Sequence, residues 1–98
     1  MSNIISNKAW KLTNAISYCF NLINWNINKE ESFSTFTKYY FYAKAADQFN
    51  KKFQELFNSI GCLNYWSQKG TDYYMVVNIK HTDFEAVIGY LLLNKNKF

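Results

Sequence analysis

Apolar side chains recur at intervals of three and four from Trp10 through Leu12, Ile16, Cys19 and Phe20 to Ile23, which is the stripe of an amphipathic helix. Ser6 or Asn7 stands where an N-cap is needed. Ala15 and Cys19, four apart, give this helix a narrow strip of small side chains. The period then drops to two: Ile23, Trp25 and Ile27 alternate with Asn24, Asn26 and Asn28, as in a half-buried strand. Lys29-Glu30-Glu31-Ser32 is polar enough for a hairpin turn. Phe33 to Ala43, dense in Thr, Phe and Tyr, suits a second strand. Phe49, Phe53, Leu56, Phe57 and Ile60 mark a helix over about 45–60, closed by Gly61. Leu63 to Trp66 reads as a third strand and Gln68 to Thr71 as a turn in which Gly70 supplies positive φ. Tyr73, Met75, Val77 and Ile79 alternate with Tyr74, Val76, Asn78 and Lys80 in a fourth strand. Thr82 and Glu85 have capping-box spacing. Phe84, Val87, Ile88, Leu91 and Leu92 then form the apolar face of a last helix, with Lys95 and Lys97 near its C-terminal end.

The predicted order, α-β-β-α-β-β-α, calls for an α+β domain: a four-stranded antiparallel sheet with helices packed on one face. The helix-facing set is Ile23, Trp25, Ile27, Leu63, Tyr65, Tyr73, Met75, Val77 and Ile79. The opposite set is Asn24, Asn26, Asn28, Lys38, Tyr40, Tyr42, Trp66, Tyr74, Asn78 and Lys80. A solvated face without a task tends to carry Lys, Glu, Thr and Ser, whereas this one is rich in Asn and Tyr, as contact surfaces are. Its orientation depends on strand parity, because a slip of one residue exchanges the faces. The small-residue strip of the first helix, Leu12, Ala15, Ile16 and Cys19, is a second candidate surface, for self-association into a homodimer.

Composition narrows the chemistry. Twenty of the 98 residues are aromatic, thirteen are Asn, eleven are Lys, one is His, and Arg is absent. These biases follow A/T-rich codons and point to a phage, a mobile element or another AT-rich genome. With no Pro, three Gly and no internal repeat, the chain reads as one domain over residues 1–98. Cys19 and Cys62 lack metal-site spacing and read as two reduced, buried thiols. No secretory signal is recognised near Met1, and no apolar run, Tyr90 to Leu93 included, approaches the length of a membrane span. A cytoplasmic or other intracellular location, an organelle matrix included, is expected.

Catalytic candidates are few. His81 has only Asp83 close by, Cys19 has apolar neighbours, and Glu30 and Glu31 suit a solubilising hairpin tip. No phosphate loop, zinc motif or dinucleotide fingerprint occurs, so no cofactor, no metal and no enzymatic activity are expected. The net charge of +4 is concentrated between residues 38 and 80, which carry six Lys against Asp47, Glu55 and Asp72. Lys38, Lys44, Lys51, Lys52, Lys69 and Lys80 suit phosphates, Asn suits adenine edges, and Tyr and Trp suit unpaired bases. DNA or RNA binding is therefore the expected function. The alternative is a small inhibitor that occludes a host protein or nucleoprotein complex through aromatic anchors. A structural subunit of a nucleoprotein assembly is a third possibility.

The element order and lengths also resemble a single LAGLIDADG homing-endonuclease module, most clearly over residues 49–93. There Phe-Gln-Glu-Leu-Phe-Asn-Ser-Ile-Gly (53–61) leads to a strand, a short basic turn, Asp-Tyr-Tyr-Met-Val-Val (72–77) and an acidic helix start at Thr82. The resemblance implies that Leu12 to Phe20 occupies the place of the name-giving helix, which pairs two modules, and that the exposed sheet face is a saddle over DNA. The chain departs from the family's motif at the acid that binds the catalytic metal: Ile16 to Asn21 holds no carboxylate, and none precedes Glu30. The helix glycines are missing as well. The likeness therefore implies a degenerate, non-cleaving member.

Overall fold

The computed structural model describes residues 5–20, 25–43, 47–70 and 72–95. Helix α1 (Asn7–Phe20) starts at a side-chain cap built from two distant parts of the chain. Ser6 Oγ accepts the Ala9 N–H at 3.1 Å, and the Glu30 carboxylate accepts the Ser6 N–H at 2.9 Å and its hydroxyl at 2.8 Å. This is a capping box whose acid comes from a strand instead of from the third helical residue.

Glu30 reaches that position because the polar run predicted as a turn is strand. β1 (Trp25–Ser32) continues through it, and the reversal falls at Phe33–Thr35, where the Phe33 N–H bonds the Phe36 carbonyl at 2.8 Å. β2 (Phe36–Ala43) then pairs antiparallel with β1. A bulge between Ile27 and Lys29 inserts Asn28 as an extra residue. The insertion reverses the parity, so that Glu30 lies opposite Tyr39 on the helix side while Lys29 and Glu31 stand on the other face.

Helix α2 (Asp47–Ser59) closes as the sequence predicts: Gly61 takes φ 75°, its N–H bonds the Asn58 carbonyl, and the Cys62 N–H bonds the Phe57 carbonyl. β3 (Asn64–Lys69) and β4 (Asp72–Lys80) form the second hairpin, with Gly70 at φ 62° in its turn. One turn of 3₁₀ helix, His81–Asp83, leads into α3 (Phe84–Leu93). The expected capping box does not form there. The 3₁₀ turn moves the helix start to Phe84, Thr82 Oγ reaches only the Asp83 carboxylate at 3.5 Å, and Glu85 instead meets Lys11 at 2.9 Å.

The four strands make one antiparallel sheet in the order β1-β2-β4-β3. Helices α1, α2 and α3 bury their apolar faces against one side of it. Leu12, Ile16, Phe41, Phe53, Phe57, Met75, Val77 and Leu91 are all fully enclosed in that layer. The fold is thus the α+β arrangement expected from the sequence. The strip proposed for self-association is part of this core: Leu12, Ala15, Ile16 and Cys19 are at most 4 % exposed. The small Ala15 and Cys19 let α1 pack against its own sheet and α3, and the four residues present no surface to a second copy. Cys19 and Cys62 are free thiols buried in the same layer, and burial raises the pKa of both, Cys62 to about 11.

Candidate nucleic-acid interface

Among the described residues, the three helices share one side of the sheet and leave the other open. Register defines what the open side carries. Tyr40 on β2, Val76 on β4 and Tyr65 on β3 lie directly across from one another. The next row is Tyr42, Tyr74 and Ser67, and β1 adds Lys29 opposite Tyr40. Lys38 lies opposite Asn78, and Lys80 opposite Phe36. Tyrosine thus flanks a small β-branched residue on both sides.

Val76 is only 2 % exposed although no described helix covers it, and unlike Met75 and Val77 it stands apart from the helix-side core. Its cover is the ring of tyrosines. Around it the face sinks into a concavity of about 270 Å³. Val76 is the floor, Tyr40 and Tyr65 are the sides, Tyr74 and Ser67 close one end, and Asn28 and Lys29 stand at the rim. The Asn28 bulge places the rim, since an extra residue in β1 turns both Asn28 and Lys29 toward the opening.

One wall is held in place. The Tyr40 hydroxyl donates to Glu31 Oε1, Lys29 Nζ lies 3.6 Å from Glu31 Oε2, and the same ammonium sits 5.4 Å from the Tyr40 ring centroid. The bond to Glu31 raises the Tyr40 phenol to about 12, and the Tyr40 bond, helped by Lys29, lowers Glu31 below the usual carboxylate range. Tyr42 and Tyr74 meet edge to face with centroids 5.7 Å apart. Tyr65, by contrast, is 46 % exposed. A smaller recess of about 140 Å³ lies at the sheet end between Phe36, Leu63, Asn78, Lys80 and Asp83.

The predicted contact set divides accordingly. Lys38, Tyr40, Tyr42, Tyr74, Asn78 and Lys80 share the open side, and Asn26 lies opposite Tyr42 in the same register. Asn28 is exposed at the bulge. Asn24 lies outside the described residues, as do Ile23, Lys44 and Lys97. Trp66 and Tyr65 exchange places relative to expectation: Trp66 lies opposite Met75 and packs on Phe53 of α2, ring centroids 6.4 Å apart, while Tyr65 faces outward. Both are amphipathic aromatics, so alternation alone could not orient β3; the apolar surface that α2 brings to Trp66 decides it. Leu63, predicted inside, is 72 % exposed. Lys51 and Lys52 are exposed on α2, behind the sheet, and do not join the open face. Sequence reasoning missed Lys29, Glu31, Tyr65, Ser67 and Val76 as parts of one site. The alternation of β4 already put Val76 outward; its neighbours across the sheet were the missing information.

His81 is bound into the scaffold. Its Nε2 and Thr37 Oγ1 are hydrogen-bonded at 2.9 Å, and Thr37 Oγ1 meets Ser32 Oγ at 3.1 Å, which fastens the β4–α3 junction to the first hairpin. Among the described residues no three His, Cys, Asp or Glu side chains gather around a common point, and no helix is long and apolar enough to cross a membrane. No protein-family model, no curated protein and no solved structure matches the chain.

Proposed function

We propose that this is a non-catalytic binding domain that contacts nucleic acid through the open face of its sheet. The observation that carries this reading is the combination of Tyr40, Tyr65 and Tyr74 around one concavity with Lys29, Lys38 and Lys80 on the same face. Aromatic rings stack on bases, and ammonium groups neutralise phosphates. Glu31 offsets part of this charge while holding Tyr40 and Lys29 in place, and Lys29, Lys38 and Lys80 outnumber it on the face. The protein's overall +4 charge favours approach of a polyanion.

Fluorescence polarisation with labelled oligonucleotides across a salt series tests the reading. Binding should weaken by roughly 0.7–0.9 log units per log unit of salt for each phosphate contact. Replacing Lys38, Lys80 and Tyr40 together should abolish binding while the circular dichroism spectrum stays that of the parent. If the parent protein binds no probe at low salt, the reading fails. Stoichiometric capture of one host protein in a parallel pull-down would then favour the occluding-inhibitor alternative.

A further inference from the structure

The concavity has a shape that restricts what can enter it. It is one strand wide on each side of Val76, so the Tyr40 and Tyr65 backbones stand roughly 10 Å apart, twice the inter-strand spacing. A helix of a protein partner, about 10–12 Å across with its side chains, is too thick to lie between them. A base held in a duplex cannot descend to Val76 either, because its faces are covered by its neighbours and its edge by its partner strand. A planar ring freed from both can enter between the two tyrosines, above the Val76 that their side chains cover. Stacked rings repeat roughly every 3.4 Å, so one ring between two tyrosines needs roughly 7 Å, within reach of side chains leaning inward.

We infer that the site takes one unpaired nucleobase between Tyr40 and Tyr65, over Val76, with the flanking phosphates held by Lys29 and Lys38, and hence that the domain prefers single-stranded to double-stranded nucleic acid. This rests on the reading of the open face as a nucleic-acid interface and specifies its ligand. The chemistry of each wall fits. The Tyr40 ring is fixed by the Glu31 bond and is approached by Lys29 from the β1 side, which leaves its side toward the concavity for a base. Tyr65 is exposed and stands across Val76, where it can meet the opposite face of the base. Ser67 and Asn28 offer donors and acceptors to the ring edge without enforcing one base. Charge complementarity selects a ring attached to phosphate over a free aromatic compound.

The test uses the full chain with a single-stranded DNA oligonucleotide carrying one fluorescent purine analogue, the same strand annealed to its complement, and the RNA strand of equal sequence. Binding of a single strand should quench the analogue, and at least one single strand should bind about tenfold more tightly than the duplex, the scale of one base–aromatic stack. The DNA and RNA arms identify which sugar is preferred. Tyr65→Ala should remove the quenching and that preference, Tyr65→Phe should keep both, and Val76→Phe should fill the slot with the same loss. Equal affinity for duplex and single strands, or single-strand binding indifferent to Tyr65→Ala and Val76→Phe, overturns this inference while nucleic-acid binding itself stands. Absence of binding to all three probes at low salt overturns both.

Discussion

Glu30 and Glu31 are neighbours in the chain, yet they work on opposite sides of the sheet. Glu30 turns toward the helices and closes the N-terminus of α1 through Ser6. Glu31 turns outward and holds Tyr40 and Lys29 in the candidate site. The same division runs along β2 and β4: Phe41 and Met75 are sealed beneath helices, whereas Tyr42 and Tyr74 meet edge to face in the open. The covered side is held by exclusion of water and close packing. The open side is held by tyrosines that bury one another and Val76 while keeping their hydroxyls at the surface. Such a surface resists unfolding only modestly but remains available to a ligand.

The contrast is broken most forcefully at β2. Phe41→Ala should lower stability by about 3–5 kcal/mol, as expected for a large buried aromatic in a central strand. Its neighbour Tyr42→Ala should cost less, because Tyr42 is only half-buried, with the edge-to-face pair itself contributing about 1 kcal/mol. Urea denaturation measures both, and equal losses would mean that the two faces do not differ in the way described.

The next largest difference separates the two glutamates. Glu30→Ala should cost about 1 kcal/mol, the usual value of a lost helix cap. Glu31→Ala should shift the denaturation midpoint less than Glu30→Ala does and weaken oligonucleotide binding instead. A reversal of these two phenotypes would show that the parity imposed by the Asn28 bulge is misassigned.

The fold was legible in the sequence wherever period and punctuation agreed. The α1 stripe, Gly61 with its positive φ, the alternation of β4 and the apolar face of α3 all lead to the observed elements. Three of the departures arise because distant contacts override a local signal. Lys29 to Ser32 looks like a turn, but Glu30 is drawn into a strand by the N-terminus of α1, twenty-four residues away. Trp66 and Tyr65 are equally suited to either face until α2 supplies Phe53. The strip of Ala15 and Cys19 looks open until α3 and the sheet cover it. Of the candidate site, Tyr40 and Tyr74 were legible, while Val76 needed its neighbours across the sheet and the β1 rim and the Tyr65 wall depended on a bulge and on that undecided parity.

A smaller effect concerns pH. The Tyr40 phenol is raised to about 12 by Glu31, so its contribution to stability is complete below the ordinary tyrosine pKa of about 10 and is lost as pH rises through about 12. Glu31 is shifted the other way, and its contribution holds above the usual carboxylate range and is lost as pH falls through its lowered pKa. Ultraviolet titration of the parent against Tyr40→Phe should isolate a phenol ionising after the bulk of the tyrosines, and Glu31→Gln should return it toward about 10. An ordinary titration for Tyr40 would show that the wall is not fixed.

The direct test of the open face as the binding surface is a backbone amide NMR titration with a short single-stranded oligonucleotide at low salt. Shifts should concentrate at Asn28, Lys29, Lys38, Tyr40, Tyr65, Tyr74 and Val76, while α1 and α3 stay still. Perturbation confined to the helical side, or none at saturating oligonucleotide, would contradict the assignment of function to this face.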